Sequence, residues 1–415
     1  MIKVFDDFNS LLDRNLNSFS RFLFCDGMSV SGVADLPLHT GGVPRWLWKR
    51  MVKLARGICL VIINESGRDE LLRRLADPFW FQALGCVLGF DWHSSGVTTV
   101  VTAALKVALD PEECGIAVCG GKGKVSLKTP SEIEHVGRVF SWSSSRTERI
   151  KKISKLAAKV DSAALQDGFS LYHHSTIVSE DGKWIVVQQG MCPELKIARR
   201  YHWSFESSKS LIEEPHSSIV SDVVRDVVLD LTSRSSKETR ETCLDLVSED
   251  PKKLKSTYRS VYHSLKGDVS ILNWVKVKER PLESIRRKIN VKYLYMPVEM
   301  NWRVLQKLHE LEPKNFEELL MVRGVGGVVL RGLALISMLI YGTEASWEDP
   351  AIYSFAFGGK DGVPFPVNTN AMDRAISFLE EAIRATEIDE KEKRMALRRL
   401  GAFVKKVEER VKDGE

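Results

Sequence analysis

The stretch KVDSAALQDGFSLYHHS gathers Asp161, Gln166, Asp167 and His174 within a short span. Carboxylates and an imidazole brought together can hold a divalent metal, Mg²⁺ for instance, that activates water against a phosphodiester. The same groups can serve as general acid and base. A second set, DWHSSG, puts Asp91 and His93 directly behind an aromatic run, with Ser94 or Ser95 placed to cap the next helix. The competing reading for both sets is structural: hydrogen bonds and caps inside a core. Strand alternation sorts the two adjacent histidines. His173 shares its parity with Phe169, Leu171 and Ile177, a core-like face; His174 goes with Tyr172 and Thr176, more like the wall of a site. No spacing in either set is diagnostic of one reaction.

Two further stretches bear on anions. GGKGKVSLKTP places Lys122, Lys124 and Lys128 in a glycine-rich loop. It lacks the spacing of a nucleotide-binding P-loop, which leaves a nucleic-acid backbone or plain solvent as its partner. MVRGVGGVVLRGLALISMLIYG sets Gly324, Gly326 and Gly327 between two apolar helical patterns, the first with Asn315 as its cap. This looks like the helix-hairpin-helix motif, spanning 315–341. Bare backbone lets a phosphate approach the amides that open the second helix, where the helix dipole favours negative charge. Val325 would anchor the turn, while Arg323 and Arg331 would add positive charge. Gly332 falls inside the second helix, where a close helix contact would explain it. The catalytic lysine that some helix-hairpin-helix DNA glycosylases carry in the turn is absent, since the turn reads Gly-Gly-Val-Val. Asp349 and the Lys360-Asp361 pair lie downstream.

These residues need elements to position them. Helices are expected after Pro44, across Glu70–Leu75, over VTTVVTAALKVAL and through Lys151–Lys159. Ile116–Cys119 reads as a buried strand leading into the lysine loop, and Thr129-Pro130-Ser131-Glu132 as the capped start of a helix. FSLYHHSTIV and KWIVVQQG read as a hairpin turning at Asp181-Gly182. Ile219–Leu231 reads as an apolar helix. The last helix aligns Leu400, Phe403, Val404, Val407 and Val411. The expected organisation is a mixed α/β (α+β) chain. An extension covers 1–30, an α/β domain with the chemistry covers 31–206, a polar helical connection covers 207–250, and a helical DNA-binding domain covers 251–415. The 415 residues, 44% hydrophobic and 28% charged, are ordinary for globular protein, and the net charge of +5 permits a nucleic-acid partner without requiring one. Seven scattered cysteines without a CxxC pair argue against a disulfide framework or a cysteine zinc site. The N-terminus lacks the apolar core of a secretory signal, and no apolar run is long enough for a membrane span, so a cytoplasmic location is expected.

GVADLPLH, DPFWFQALGCVLGFDWHSSG, GGKGK with the KTP that follows, KVDSAALQDGFSLYHH, DGKWIVVQQGM, ARRYHW and SFAFGGKDGVPFPV resemble a family of unknown function from thermophilic archaea and some bacteria, over roughly Gly32–Leu400. Other members often read Gly-Val-Gly-Pro-Lys-Thr in the hairpin; here Gly327, Val328 and Val329 replace the last three residues. The resemblance supplies no activity. From the residues, the leading expectation is a DNA-processing or repair nuclease. Asp91, His93, Asp161, Gln166, Asp167 and His174 would form its centre, with Lys122, Lys124, Lys128, Arg323, Gly324, Gly326, Gly327 and Arg331 on the DNA backbone. The alternatives are a lesion glycosylase or lyase using Lys122 or Lys124 as an amine nucleophile, and a DNA-binding accessory protein without chemistry.

Overall fold

A computed structural model describes residues 43, 45–90, 96–221, 223–265, 296–351 and 369–412. The N-terminal extension, Asp91, His93, Ser94, Ser95 and the Lys360-Asp361 pair lie outside the described residues.

The fold is a mixed α+β arrangement, with a five-stranded antiparallel sheet between two layers of helices. Its strands run in the order β1 (Ile116–Lys122), β3 (Ser170–Ser179), β4 (Trp184–Cys192), β5 (Ile197–Ser204) and β6 (Ser218–Val220). The β3–β4 turn is where the Asp-Gly pair predicts it, with Gly182 in the left-handed region at φ +85°. A two-stranded ribbon pairs β2 (Leu165–Gln166) with β7 (Leu229–Asp230). Of Ile219–Leu231, expected as a helix, the described residues are not helical: Ile219 and Val220 belong to β6, Leu229 and Asp230 to β7, and 223–228 are irregular. The apolar residues of this stretch are claimed by the sheet edge and the ribbon, and Ile219, Val228 and Leu231 are all buried.

One helical layer holds α1 (Arg45–Ser66), α2 (Arg68–Ala76), α3 (Pro78–Leu88) and α4 (Gly96–Ala108). Asp77 starts α3 by accepting from the amides of Phe79 and Trp80 at 2.8 and 3.0 Å. The C-terminal helices α13 (Thr369–Ala385) and α14 (Glu390–Lys412) join this layer. Leu379, Ile383 and Leu400 share a core with Ile58, Leu84 and Val101 and with the sheet's Ile177, Ile185 and Val187. After the short α5 (Pro111–Cys114) the chain crosses β1 to the other face.

The second layer is built from α6 (Thr129–Val139), α7 (Ser144–Lys159), α8 (Lys237–Ser248), α9 (Pro251–Leu265), α10 (Trp302–Leu311), α11 (Phe316–Met321) and α12 (Gly327–Tyr341). Its core joins Leu156, Leu308, Leu320 and Leu333 to Val178, Val186 and Trp203 of the sheet. The start of α6 differs from the capping expectation. Thr129 is already helical and its hydroxyl donates to Ser126 O, while Glu132 accepts from Lys106 Nζ at 2.6 Å and Gly120 N at 2.7 Å. A lysine and a strand amide outcompete the reciprocal cap for that carboxylate. No helix among the described residues is long and apolar enough to cross a membrane.

Candidate functional site

The helical hairpin begins with α11, capped by the Asn315 side chain, which accepts from Glu318 N at 2.9 Å. Phe316, Leu319 and Leu320 bury its inner face. The chain then turns through Val322–Gly326. Gly324 has φ +100°, and a Cβ there would stand 2.5 Å from Val304 Cγ2, so the turn requires glycine at this position. Val325 plugs into the core at 1% exposure. Gly326 is different. Its backbone is extended at φ −145°, which any residue adopts, and a Cβ would meet nothing within 4 Å. It is the N-cap of α12 and no side chain caps that helix. The opening amides of α12 have no intrahelical acceptor, and Gly326 and Gly327, both half-buried, put no side chain over them.

Carbonyls of the same turn are held from inside. Lys159 Nζ donates to Val325 O at 2.7 Å, and Gln166 Nε2 donates to Gly327 O at 2.9 Å. Arg331, on the next turn of α12, donates to Gln166 Oε1 at 3.3 Å and lies 5.4 Å from the Trp347 ring. Arg323 is exposed on the turn. Gln166 thus belongs to the hairpin rather than to a carboxylate centre. Lys159 was not singled out in the sequence, because its partner is 166 residues away. Gln166, Glu299, Gly327, Val328 and Arg331 line a depression of about 430 Å³ at this end of α12. At Gly332 a Cβ would stand 3.2 Å from Tyr258 Cε2 of α9, the expected helix contact, and 2.3 Å from Met300 Cε of the chain before α10.

Asp161 and His174 lie in one buried network. Asp161 accepts from Gln188 Nε2, from Trp203 Nε1 at 3.1 Å and from His216 Nε2 at 2.5 Å. Because a carboxylate can only accept, Gln188 must turn its amide nitrogen to Asp161 and its oxygen to His174. His174 therefore carries its proton on Nδ1, donating to Gln188 Oε1 at 2.8 Å, and Nε2 accepts from Ser154 Oγ at 2.8 Å. Burial pushes the His174 pKa down, against the bond to Gln188. This is a neutral histidine fixed in one tautomer by an internal chain.

Asp167 lies in another network. Its Oδ2 accepts from Arg199 at 3.0 Å and from Tyr201 Oη at 2.6 Å, and Oδ1 accepts from Phe169 N. Arg199 also grips Asp349 with two bonds of 2.9 and 2.6 Å. Burial raises the Asp167 pKa, opposed by the Arg199 charge. Asp349 thus serves as an internal partner of Arg199. Asp161 and Asp167 are spent on different partners and share no site, and among the described residues no three His, Cys, Asp or Glu side chains stand together to hold a metal ion. Lys122 ends β1 and Lys124 and Lys128 sit on the following 3₁₀ turn, all exposed.

A polar row that the sequence reading missed crosses the opposite face of the sheet. Lys122, His173, Gln189 and Arg200 are direct cross-strand neighbours on β1, β3, β4 and β5. His173 Nε2 lies 3.1 Å from both Thr102 Oγ1 and Ser175 Oγ, and Nδ1 has no hydrogen-bond partner among the described residues. Burial, with His174 and Lys122 nearby, holds its pKa down to about 3. Gln189 donates to Tyr172 Oη at 2.5 Å, and Arg200 donates to His202 Nε2 at 2.8 Å and Gln82 Oε1 at 3.1 Å. The signal was in the sequence as three polar doublets: His173-His174, Gln188-Gln189 and Arg199-Arg200. Adjacent residues of a strand face opposite ways, so each doublet gives one member to each face.

The sequence pattern of a family described as a protein of unknown function (DUF763) matches residues 32–367, most of the chain. The chain belongs to this family. No curated protein and no solved structure matches it. In this DUF763 member the hairpin, the ribbon and both polar networks all fall inside the matched span, while α13 and α14 follow it.

Proposed function

We propose that the chain is a DNA-processing protein that grips the phosphate backbone at the turn Val322–Gly326 and the first turn of α12, in the manner of a helix-hairpin-helix. One observation carries this reading: Gly326 has room and backbone geometry for any side chain, yet it is glycine and leaves the opening amides of α12 without a capping side chain. Such amides suit a phosphate oxygen, aided by the positive end of a 15-residue helix. Lys159 and Gln166 hold the turn carbonyls inward, and exposed Arg323 adds charge at the rim. Contacts of this kind give affinity without sequence preference.

Cleavage of the phosphodiester bond is a second reading, favoured by the exposed lysines of the glycine loop. Lys122, Lys124 and Lys128 would neutralise charge developing on a phosphate, while His173 and Arg200 behind them are buried and do not reach one. A lyase would instead use an exposed lysine amine of the glycine loop.

The test is titration of fluorescent duplexes of two unrelated sequences over a salt series. Equal affinities that fall steeply with salt are expected; absence of binding overturns the reading. Intact, branched and base-damaged DNAs incubated with and without divalent metal then decide the chemistry. Strand cutting supports the nuclease, a borohydride-trapped adduct supports the lyase, and binding without either leaves an accessory protein.

A further inference from the structure

The depression at the start of α12 does not end there. Val298 and Glu299 form its far wall and also the near wall of a second depression of about 360 Å³, lined by Lys255, Arg259, Tyr262 and Trp302 among others. Sharing these two residues, the depressions are adjacent, and groove here covers both, from the start of α12 to α9. Its far half combines two side-chain types. Trp302 is half-buried at the start of α10, held by Tyr258 edge-on with ring centroids 5.4 Å apart. Lys255 Nζ lies 5.5 Å from the Trp302 ring, and Arg259 is exposed one helical turn further along α9. Val298, between the halves, is 62% exposed. Along the groove Lys255, Arg259 and Arg331 set three positive charges against Glu299.

Aromatic faces interleaved with cations are what an unpaired nucleic-acid strand needs: rings for its bases and positive charge for its phosphates. A paired duplex has no base face to offer such rings. We propose that the groove takes a single-stranded segment of the DNA whose backbone the hairpin holds, with Trp302 and Tyr262 stacking its bases and Lys255 and Arg259 on its phosphates. This rests on the hairpin reading and narrows its substrate class. The preferred DNA is a duplex with a tail or a gap.

The experiment compares affinities for a blunt duplex and for the same duplex carrying a single-stranded tail. Three proteins are titrated: the full chain, Trp302→Leu, and the double variant Lys255→Gln with Arg259→Gln. Trp302→Leu keeps an apolar side chain against Tyr258 but has no ring, and the two cations are on the outer side of α9, so their loss should leave the fold intact. The full chain should prefer the tailed DNA. Trp302→Leu should lose that preference by about tenfold with blunt-duplex affinity unchanged. The double variant should also lower the salt slope for tailed DNA by roughly 1.4, two phosphate contacts on a single strand. Equal affinity of the full chain for blunt and tailed DNA, or a preference untouched by both variants, overturns the groove and leaves the hairpin reading standing. If neither DNA binds at all, the hairpin reading fails and takes this one with it.

Discussion

The hairpin turn and the buried polar doublets of the sheet treat their hydrogen-bonding groups in opposite ways. In the doublets, carboxylates and cations meet inside the protein. Arg199 holds Asp167 and Asp349, and Asp161 takes three donors from Gln188, Trp203 and His216. At the turn, the carbonyls are held from inside by Lys159 and Gln166 while the α12 amides have no cap. A charged residue in the core is thus weak evidence for chemistry when its partners are internal. An uncapped helix start on the surface is better evidence for an external anion.

The comparison can be broken first at Arg199. Arg199→Met would leave Asp167 and Asp349 buried without their cation, a loss of about 3–5 kcal/mol in unfolding free energy by urea titration. A change under 1 kcal/mol would mean that the pair is not the internal structural element described. Asp161→Asn should cost up to about 3 kcal/mol, since one of three buried donors would face an NH₂ group; wild-type stability would show that the network tolerates an unmatched donor. The histidines add a pH signature. Folded-state values below the ordinary imidazole value mean that the unfolded chain binds the extra proton. The stabilisation is then present above about pH 6.5 and is lost as the pH falls through that value toward the about 3 of His173. Between pH 6.5 and 4.5 the native protein should lose roughly 2 kcal/mol more than His173→Gln. Parallel curves for the two proteins would contradict a neutral buried His173.

Much of this was legible in the residues. The strand Ile116–Cys119, the Asp-Gly turn and the Asn315 cap follow from local chemistry, and each is where the sequence puts it. Ile219–Leu231 misled because its apolar spacing fits a helix, while what decides it is a sheet edge and a ribbon partner at Leu165–Gln166. Asp161 and Asp167 are close in sequence, which suggests one shared site. A π-helical turn at Val160–Ala164 followed by β2 separates them, sending one toward Trp203 and the other toward Arg199. The tie from Lys159 to Val325 spans 166 residues and has no local signal. Asp349 showed its acid but not its partner, since Arg199 lies 150 residues away.

The smallest expected change in stability belongs to the most direct test, Gly326→Asp. The new carboxylate enters open space on an extended backbone and caps α12, so stability should hold or rise by a few tenths of a kcal/mol. The same carboxylate would occupy the place of a phosphate and repel it. Binding of a fluorescent duplex, measured beside the thermal midpoint, should weaken by at least about tenfold, equivalent to about 1.4 kcal/mol, while the midpoint stays put. Unchanged affinity in a folded Gly326→Asp protein would contradict the claim that this turn is where the chain holds DNA.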